Sequence, residues 1–374
     1  MAHTCPAYVA HIEPDLLTYG CSKPQTTSTL TNYAVPYGTH DATYSQVRFE
    51  GNTGEDAGSW AVLRLMLMGA PGVDTYNITF DRCVFATCPA GIEGNGVHGW
   101  NFASDGSTIH HITFDHCWFE PQPRMQLEMN GRGGWFHDLT AHRCTFEPSN
   151  GQLFSVDMSA TGGDPASPYG ISVDGVVRGV EGVTLTENDF QGTGAVVNGF
   201  DNWTARAIEL RCVRPSSIDG SGGTVMRGNR VGRCRSGWFN LNASSGTYGL
   251  TVENNLFDTA YNPAGLAYAV THDSPWAGGV SDSTFSDNVY VLGSGGNEPW
   301  DFMPSAQVSG DGNTFAREHW TKPGGGIGGV CEMPFTDSTY TGCHFHLPKA
   351  VTFAADAAGS GCVFDNGYVN GTFT

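Results

Sequence analysis

The chain has 374 residues, with 51 glycines and 37 acidic against 18 basic side chains, for a formal net charge of −19. Its 21 Phe, 13 Tyr and 9 Trp supply enough apolar mass for a large core, which excludes a disordered or collagen-like chain. The negative charge repels phosphate backbones and anionic headgroups, which argues against nucleic-acid or membrane-surface partners and against acidic polymers as ligands.

Residues 1–45 contain Pro6, Pro14, Pro24 and Pro36 and no repeated pattern, so they are expected to form an irregular lead-in or cap. Met1–Cys5 shows no basic stretch followed by an apolar run, so no secretory signal is visible here, whether because one was removed or because there was none. The most apolar run, Trp60–Met68, is interrupted by Arg64 and falls far short of the roughly 20 residues of a membrane span. No membrane insertion is expected.

Further along, a short signature recurs ten times. It begins with cysteine, in Cys83-Val84-Phe85, Cys117-Trp118-Phe119 and Cys144-Thr145-Phe146. It continues with asparagine, in Asn188-Asp189-Phe190, Asn229-Arg230-Val231, Asn255-Leu256-Phe257, Asn288-Val289-Tyr290 and Asn313-Thr314-Phe315, then reverts in Cys343-His344-Phe345 and Cys362-Val363-Phe364. Most copies follow an alternating run such as Ile78-Thr79-Phe80, Ile112-Thr113-Phe114 or Leu250-Thr251-Val252, which is strand chemistry. The mean period is about 31 residues, in the range of solenoids, and no helical periodicity intervenes.

One all-β domain over residues 46–374 therefore replaces the several domains that length alone suggests. A parallel β-helix of about ten or more coils satisfies the pattern: coils stack about 4.8 Å apart and equivalent side chains form columns. Asparagine in one turn column can hydrogen-bond to its copies above and below, and the small, readily buried cysteine fits the same slot. The two longest intervals, after Cys144 and after Asn188, hold either long loops or a further coil. Thr161–Pro165, Pro215–Gly220 and the glycine run Gly324–Gly329 read as loops, the last without the helix that a phosphate-binding loop needs.

Five cysteines belong to the signature, leaving Cys5, Cys21, Cys88, Cys212, Cys234 and Cys331. Cys5 with Cys21 and Cys212 with Cys234 are candidates for pairing. An odd total of eleven and several core-type cysteines suit folding in a reducing cytoplasm.

The wording Ile-Thr-Phe-Asp-x-Cys-x-Phe and Val-x-Asn-Asn-x-Phe resembles right-handed parallel β-helix proteins of the pectate-lyase-like superfamily, from about Val47 to the C-terminus. The resemblance implies a single-stranded right-handed solenoid with a polysaccharide or cell-surface glycan as partner. The superfamily spans polysaccharide lyases, glycoside hydrolases, epimerases and bacteriophage tail spikes. A glycan-facing β-helix made in the cytoplasm fits a phage tail protein released by lysis, and this type of spike implies a homotrimer among virion tail proteins. A secreted bacterial or fungal hydrolase or lyase is the alternative, and a non-catalytic tail or adhesin component is a third.

The strands after each signature align as Ile92-Glu93-Gly94-Asn95, Leu127-Glu128-Met129-Asn130, Val156-Asp157-Met158-Ser159, Val197-Asn198-Gly199 and Leu241-Asn242-Ala243. This alignment predicts an outward polar column of Glu93, Glu128, Asp157, Asn198 and Asn242, with Asn95 and Asn130 beside it. Neighbouring members would lie about 5 Å apart and next neighbours about 10 Å, which brackets the retaining and inverting glycosidase geometries. Glu128, in the middle, is the candidate proton donor, and Glu93 and Asp157 are the base or nucleophile candidates. Trp100, Trp135 and Trp238 offer sugar-stacking platforms. Gln126, Arg124 and Arg132 flank Glu128 as candidate substrate contacts, together with His98, His137 and Ser155 nearby. The same column could instead be a solvated face or hold Ca²⁺ through its oxygens; no other metal or cofactor is expected. Only three lysines, Lys23, Lys322 and Lys349, occur, all far from the column, which favours hydrolysis of a neutral polysaccharide over elimination from a uronic acid.

Overall fold

The computed structural model describes residues 19–51, 61–67, 73–90, 94–101, 107–131, 134–157, 171–173, 176–178, 180–192, 197, 208–211, 223–233, 239–240, 247–258, 270–271, 280–291, 310–321, 332–333, 335–347 and 349–374. Among these residues three long sheets contain only parallel pairings. Sheet 1 and sheet 3 have 12 strands each, sheet 2 has 8, and a separate run of 3 continues the second side at the C-terminal end. The chain visits sheets 1, 2 and 3 in turn and then steps up one strand, so the fold is a parallel β-helix, with twelve coils among the described residues.

The first coil lies inside the segment expected to be an irregular cap. Ser28–Thr31, Tyr33–Val35 and His40–Ser45 pair in parallel with Val47–Glu50, Ala61–Leu67 and Thr75–Asp81. The β-helix therefore begins at about residue 28 rather than 46. Of the described residues before it, 19–27 run as a strap along the coils: Gly20 N–H donates to Glu187 O, Cys21 N–H to Thr145 Oγ1 and Thr27 N–H to Gln46 O.

Each coil turns from sheet 3 into sheet 1 through one residue with positive φ, and the next residue is the signature position. Gln46, Arg82, His116, Arg143, Glu187, Asn254, Asp287 and Arg317 hold this turn, with Gly228, Gly342 and Gly361 in equivalent places. The strain of a non-glycine left-handed residue is held by a backbone bond to the next coil, as from Arg82 N–H to Asp115 O and from Asp287 N–H to Ala316 O.

The signature column is a hydrogen-bonded ladder. Asn188 Nδ2 donates to Asn229 Oδ1 (3.0 Å), Asn229 Nδ2 to Asn255 Oδ1 (2.9 Å) and Asn255 Nδ2 to Asn288 Oδ1 (2.9 Å). Each Nδ2 also reaches a carbonyl of the preceding coil, as from Asn188 to Ala141 O and from Asn229 to Leu185 O. The cysteine thiols do the same: Cys117 Sγ donates to Phe80 O and Cys144 Sγ to Phe114 O, which are the equivalent carbonyls. Cysteine and asparagine share the column because both are small and both can donate to that buried oxygen.

One rung differs from the sequence reading. Glu318, not Asn313, follows the turn residue Arg317 and accepts from Asn288 N–H and Nδ2, both at 2.9 Å. Asn313 belongs to a second ladder at the entry to sheet 3, where it accepts from Ser283 N–H and its own N–H donates to Ser338 Oγ. The aromatic of the signature faces the core as a ring stack, Phe85–Phe119–Phe146–Phe190, with centroids 4.3 to 4.6 Å apart.

Both long intervals contain one coil each in their described parts. After Cys144 the chain forms Phe154–Asp157 in sheet 2 and Thr184–Thr186 in sheet 3, with an antiparallel hairpin, Ile171–Val173 against Val176–Arg178, between them. After Asn188 it forms Ile208–Arg211 and Val225–Arg227. Thr161–Pro165, Pro215–Gly220 and Gly324–Gly329 lie outside the described residues. The described cysteines, Cys21 among them, form no disulfide with one another, and Cys5, Cys212 and Cys234, the other members of the candidate pairs, lie outside the described residues.

Candidate functional site

The outward column on sheet 2 has a different register from the one that the sequence predicts. Glu128 pairs with His98 on one side and Ser155 on the other, and Ser155 with Glu209, which pairs with Asn240. The next row outward along the strands holds Trp100, Asn130 and Asp157. Asp157 thus stands one strand over and two residues beyond Glu128, rather than beside it. Glu209 and Asn240 occupy the positions assigned to Asn198 and Asn242.

For His98 and Glu209 the reason is loop length; Ser155 is passed over for Asp157 because Val156-Asp157-Met158 repeats the apolar–acidic–apolar wording of Leu127-Glu128-Met129 two residues further on. Glu128 and Ser155 each follow their cysteine by 11 residues, but His98 follows Cys83 by 15 and Glu209 follows Asn188 by 21. An alignment counted from the signature therefore slips wherever the connection lengthens. The alternation Ile208-Glu209-Leu210-Arg211 matches Leu127-Glu128-Met129-Asn130 and was the signal that could have found Glu209.

Leu127, Met129, Phe154 and Val156 belong to the core, so by strand alternation Glu128, Asn130 and Ser155 face away from it. This outer face is nonetheless covered: Glu128 is 6% exposed, His98 3% and Ser155 3%. The expected solvated column is instead a buried polar patch. A carboxylate placed there needs partners. Asn95 Nδ2 donates to Glu128 Oε2 at 2.6 Å, and His98 Nε2 lies 3.4 Å from the same oxygen. Asn95 is fixed in turn by Met125 N–H, which donates to Asn95 Oδ1 at 3.0 Å. The sequence placed Asn95 and Glu128 near one another but missed His98 as the direct neighbour of the carboxylate.

The other predicted contacts divide. Asn130 joins the outward face at 9% exposure, while Arg124 is half-buried and ties Gly94 O through its backbone. Gln126 is fully buried, and its Nε2 donates to Glu147 O and Ser149 Oγ. Trp135 offers no open platform, because it is buried and its ring stacks on His137 at 3.9 Å. Trp100 and Asp157 have described strand positions only. Glu93, Arg132, Asn198, Trp238 and Asn242 lie outside the described residues.

Sheet 3 carries a second feature. Asp41, Asn77, His111 and Asp138 each adopt positive φ inside a strand, and the pairing skips over them. Asn77, His111, Thr113, Asp138, Thr140, Gly182 and Thr184 line a cleft of about 280 Å³ there. Along its rim His40, Tyr76, His110 and His137 stack at 4.7 to 5.2 Å. His137 Nδ1 is 2.6 Å from Asp138 Oδ2. Burial and the neighbouring His137 and His111 push His110 down to about 4, so it is neutral at ordinary pH.

No described protein family matches the chain, and no curated protein does. Among solved structures, the tailspike protein of E. coli bacteriophage HK620 in complex with a hexasaccharide aligns with 98% of this chain at 14% identity and a TM-score of 0.35. The same tailspike with a pentasaccharide aligns with 96% at 12% identity and a TM-score of 0.33. The Agl-KA catalytic domain aligns with 79% at 9% identity and a TM-score of 0.27. The chain spans 60%, 61% and 62% of those chains, respectively.

Proposed function

We propose that the protein recognises a neutral polysaccharide or cell-surface glycan and hydrolyses it at the outer face of sheet 2. The observation that carries this reading is the buried Glu128 carboxylate held by Asn95 and His98 on the outward side of a β-helix strand. A carboxylate buried outside the core and oriented by an amide donor, with an imidazole beside it, is arranged for proton transfer. In this reading Glu128 delivers the proton to the departing sugar oxygen and His98 holds the reacting carboxylate oxygen in place.

The second carboxylate is Asp157, with Glu93 or Glu209 as the other candidates. One strand spacing and two residues separate the backbone positions of Glu128 and Asp157, about 8 Å. The stereochemical course follows from the separation of the two carboxyl groups, close for retention and wider for inversion. The sequence resemblance extends the reading to a trimeric phage tail component made in the cytoplasm, and the free thiols support folding in a reducing compartment. A secreted hydrolase is the alternative setting.

Recognition without cleavage is a second reading, favoured by the cleft on sheet 3, where His40, Tyr76 and His110 present a stacked ring edge. Incubation with a panel of neutral and uronic polysaccharides separates the readings. New reducing ends that disappear in Glu128→Gln support hydrolysis. Unsaturated products absorbing in the ultraviolet would replace it with elimination, and binding without either product would leave recognition alone. The mass in solution tests the trimer.

A further inference from the structure

Near the C-terminal end, sheet 1 places three imidazoles together. His319 and His344 are register partners on adjacent strands, and His346 follows His344 by two residues. The intervening Trp320 and Phe345 are core residues, so alternation turns all three histidines to the outer face. One ring nitrogen from each lies within 4.8 Å of the other two. The ring centroids are 5.8, 4.9 and 5.9 Å apart. The group lies six to seven coils away from Glu128 along the axis and shares no residue with the proposed glycan site.

We propose that His319, His344 and His346 bind a borderline divalent cation of the Zn²⁺ class, with the fourth position open to water. Three features of this set fit such an ion. Imidazole suits Zn²⁺, Ni²⁺ and Cu²⁺, whereas Ca²⁺ and Mg²⁺ require oxygen. Ligands on rigid, registered strands come partly preorganised. Tetrahedral Zn–N bonds of about 2.05 Å need nitrogens about 3.3 Å apart, so ring rotations that close at most about 1.5 Å complete the geometry.

The third feature is the outer partner. His346 Nδ1 lies 3.1 and 3.2 Å from the two Asp365 oxygens, so Nδ1–H donates to the carboxylate and Nε2 keeps the lone pair for the metal. A carboxylate on the far nitrogen of a ligating histidine is the usual device for fixing its tautomer and raising its basicity. His319 is only 1% exposed and His344 and His346 are half-buried, which places the ion at the edge of a dry pocket rather than in open solvent. The ion would tie the tenth and eleventh coils together.

The test uses the full chain without a histidine tag, stripped with chelator and equilibrated with ZnCl₂ or CoCl₂. One Zn²⁺ per chain and the intense visible bands of tetrahedral Co²⁺ are expected. His344→Gln abolishes both while keeping a cooperative melt. Asp365→Asn, at an exposed position, keeps the stoichiometry but weakens affinity by about 10- to 100-fold. Absence of bound metal in the unaltered chain overturns the proposal, as does an unchanged stoichiometry in His344→Gln, which would assign the metal to other histidines. Should His344→Gln fail to fold, the Co²⁺ spectrum and the Asp365→Asn affinity decide: octahedral bands together with an unchanged affinity overturn it.

Discussion

Asn255→Ala removes the side chain at the centre of the ladder. Asn255 Nδ2 donates to Met226 O (3.0 Å) and Asn288 Oδ1 (2.9 Å), and its Oδ1 accepts from Asn229 N–H and Nδ2 (both 2.9 Å). After truncation Asn229 Nδ2 still reaches Leu185 O and Asn288 Oδ1 still accepts from Asn255 N–H, but Asn229 N–H loses its acceptor in a fully buried site. An orphaned buried donor costs about 1–3 kcal/mol and each further lost bond about 1, so the change should cost roughly 2–5 kcal/mol. Asn255→Cys should be milder by about 1 kcal/mol or more, because cysteine in this column donates to the same carbonyl and Cys117 Sγ also receives the Cys83 N–H. Urea denaturation gives the ordering, and hydrogen exchange at the Asn229 amide shows whether protection is lost at the expected place. An alanine variant costing less than about 1 kcal/mol, or a cysteine variant as damaging as alanine, would refute the shared role of the two residue types.

The Glu318 rung makes stability depend on pH. Burial pushes its carboxyl up to about 8 against an ordinary 4.5, so between those values the folded state keeps a proton that the unfolded chain releases, and stability falls as pH rises through that window. Glu318→Gln keeps the acceptor for Asn288 without the proton. Its advantage over the unaltered chain in paired melts should grow from about pH 5 to about pH 9, and an equal advantage at both would contradict the assignment. Glu120 behaves in the opposite sense. Burial raises its carboxyl, but Arg48, Lys23 and the Thr87 N–H outweigh this and hold it down at about 2. Its contribution is present above about 4.5 and is lost as pH falls through about 2. Glu120→Gln should cost roughly 2–4 kcal/mol and speed proteolytic clipping of residues 19–27, whereas Lys23→Ala, at a half-exposed position, should cost under about 1. His98→Ala should lower turnover on any cleaved glycan while leaving the melt within about 2 kcal/mol; normal turnover would separate His98 from the Glu128 chemistry.

The parallel β-helix was legible because one column must satisfy the same buried carbonyl in every coil, and few residues do so. Cysteine and asparagine recur for that reason, and the aromatic two residues on recurs because it stacks on its copies. The first coil escaped notice because the next rung up is Val47, which fills the slot without a hydrogen bond. Asn313 misled because it sits in a second ladder with the same small polar chemistry, while Glu318, neutral through burial, does an asparagine's work under a charged residue's name. On sheet 2 the alternation was readable but the register was not. Connections of unequal length separate the ladder from that sheet, so His98 and Glu209 were displaced by Glu93 and Asn198, whereas Ser155, at the same spacing as Glu128, was displaced by Asp157 because the apolar–acidic–apolar wording recurs two residues on. Burial of the outward face was equally invisible, since alternation gives direction but not what lies over it.

The most direct test of the glycan reading is a crystal structure of Glu128→Gln soaked with an oligosaccharide from whichever polysaccharide the protein binds. The account predicts a sugar over the outer face of sheet 2, with its glycosidic oxygen within hydrogen-bonding reach of the residue 128 amide and its rings running past Asn130 toward the Asp157 row. A sugar seated only in the sheet 3 cleft beside His111 and Asp138 would contradict it and leave Glu128 as a buried structural carboxylate.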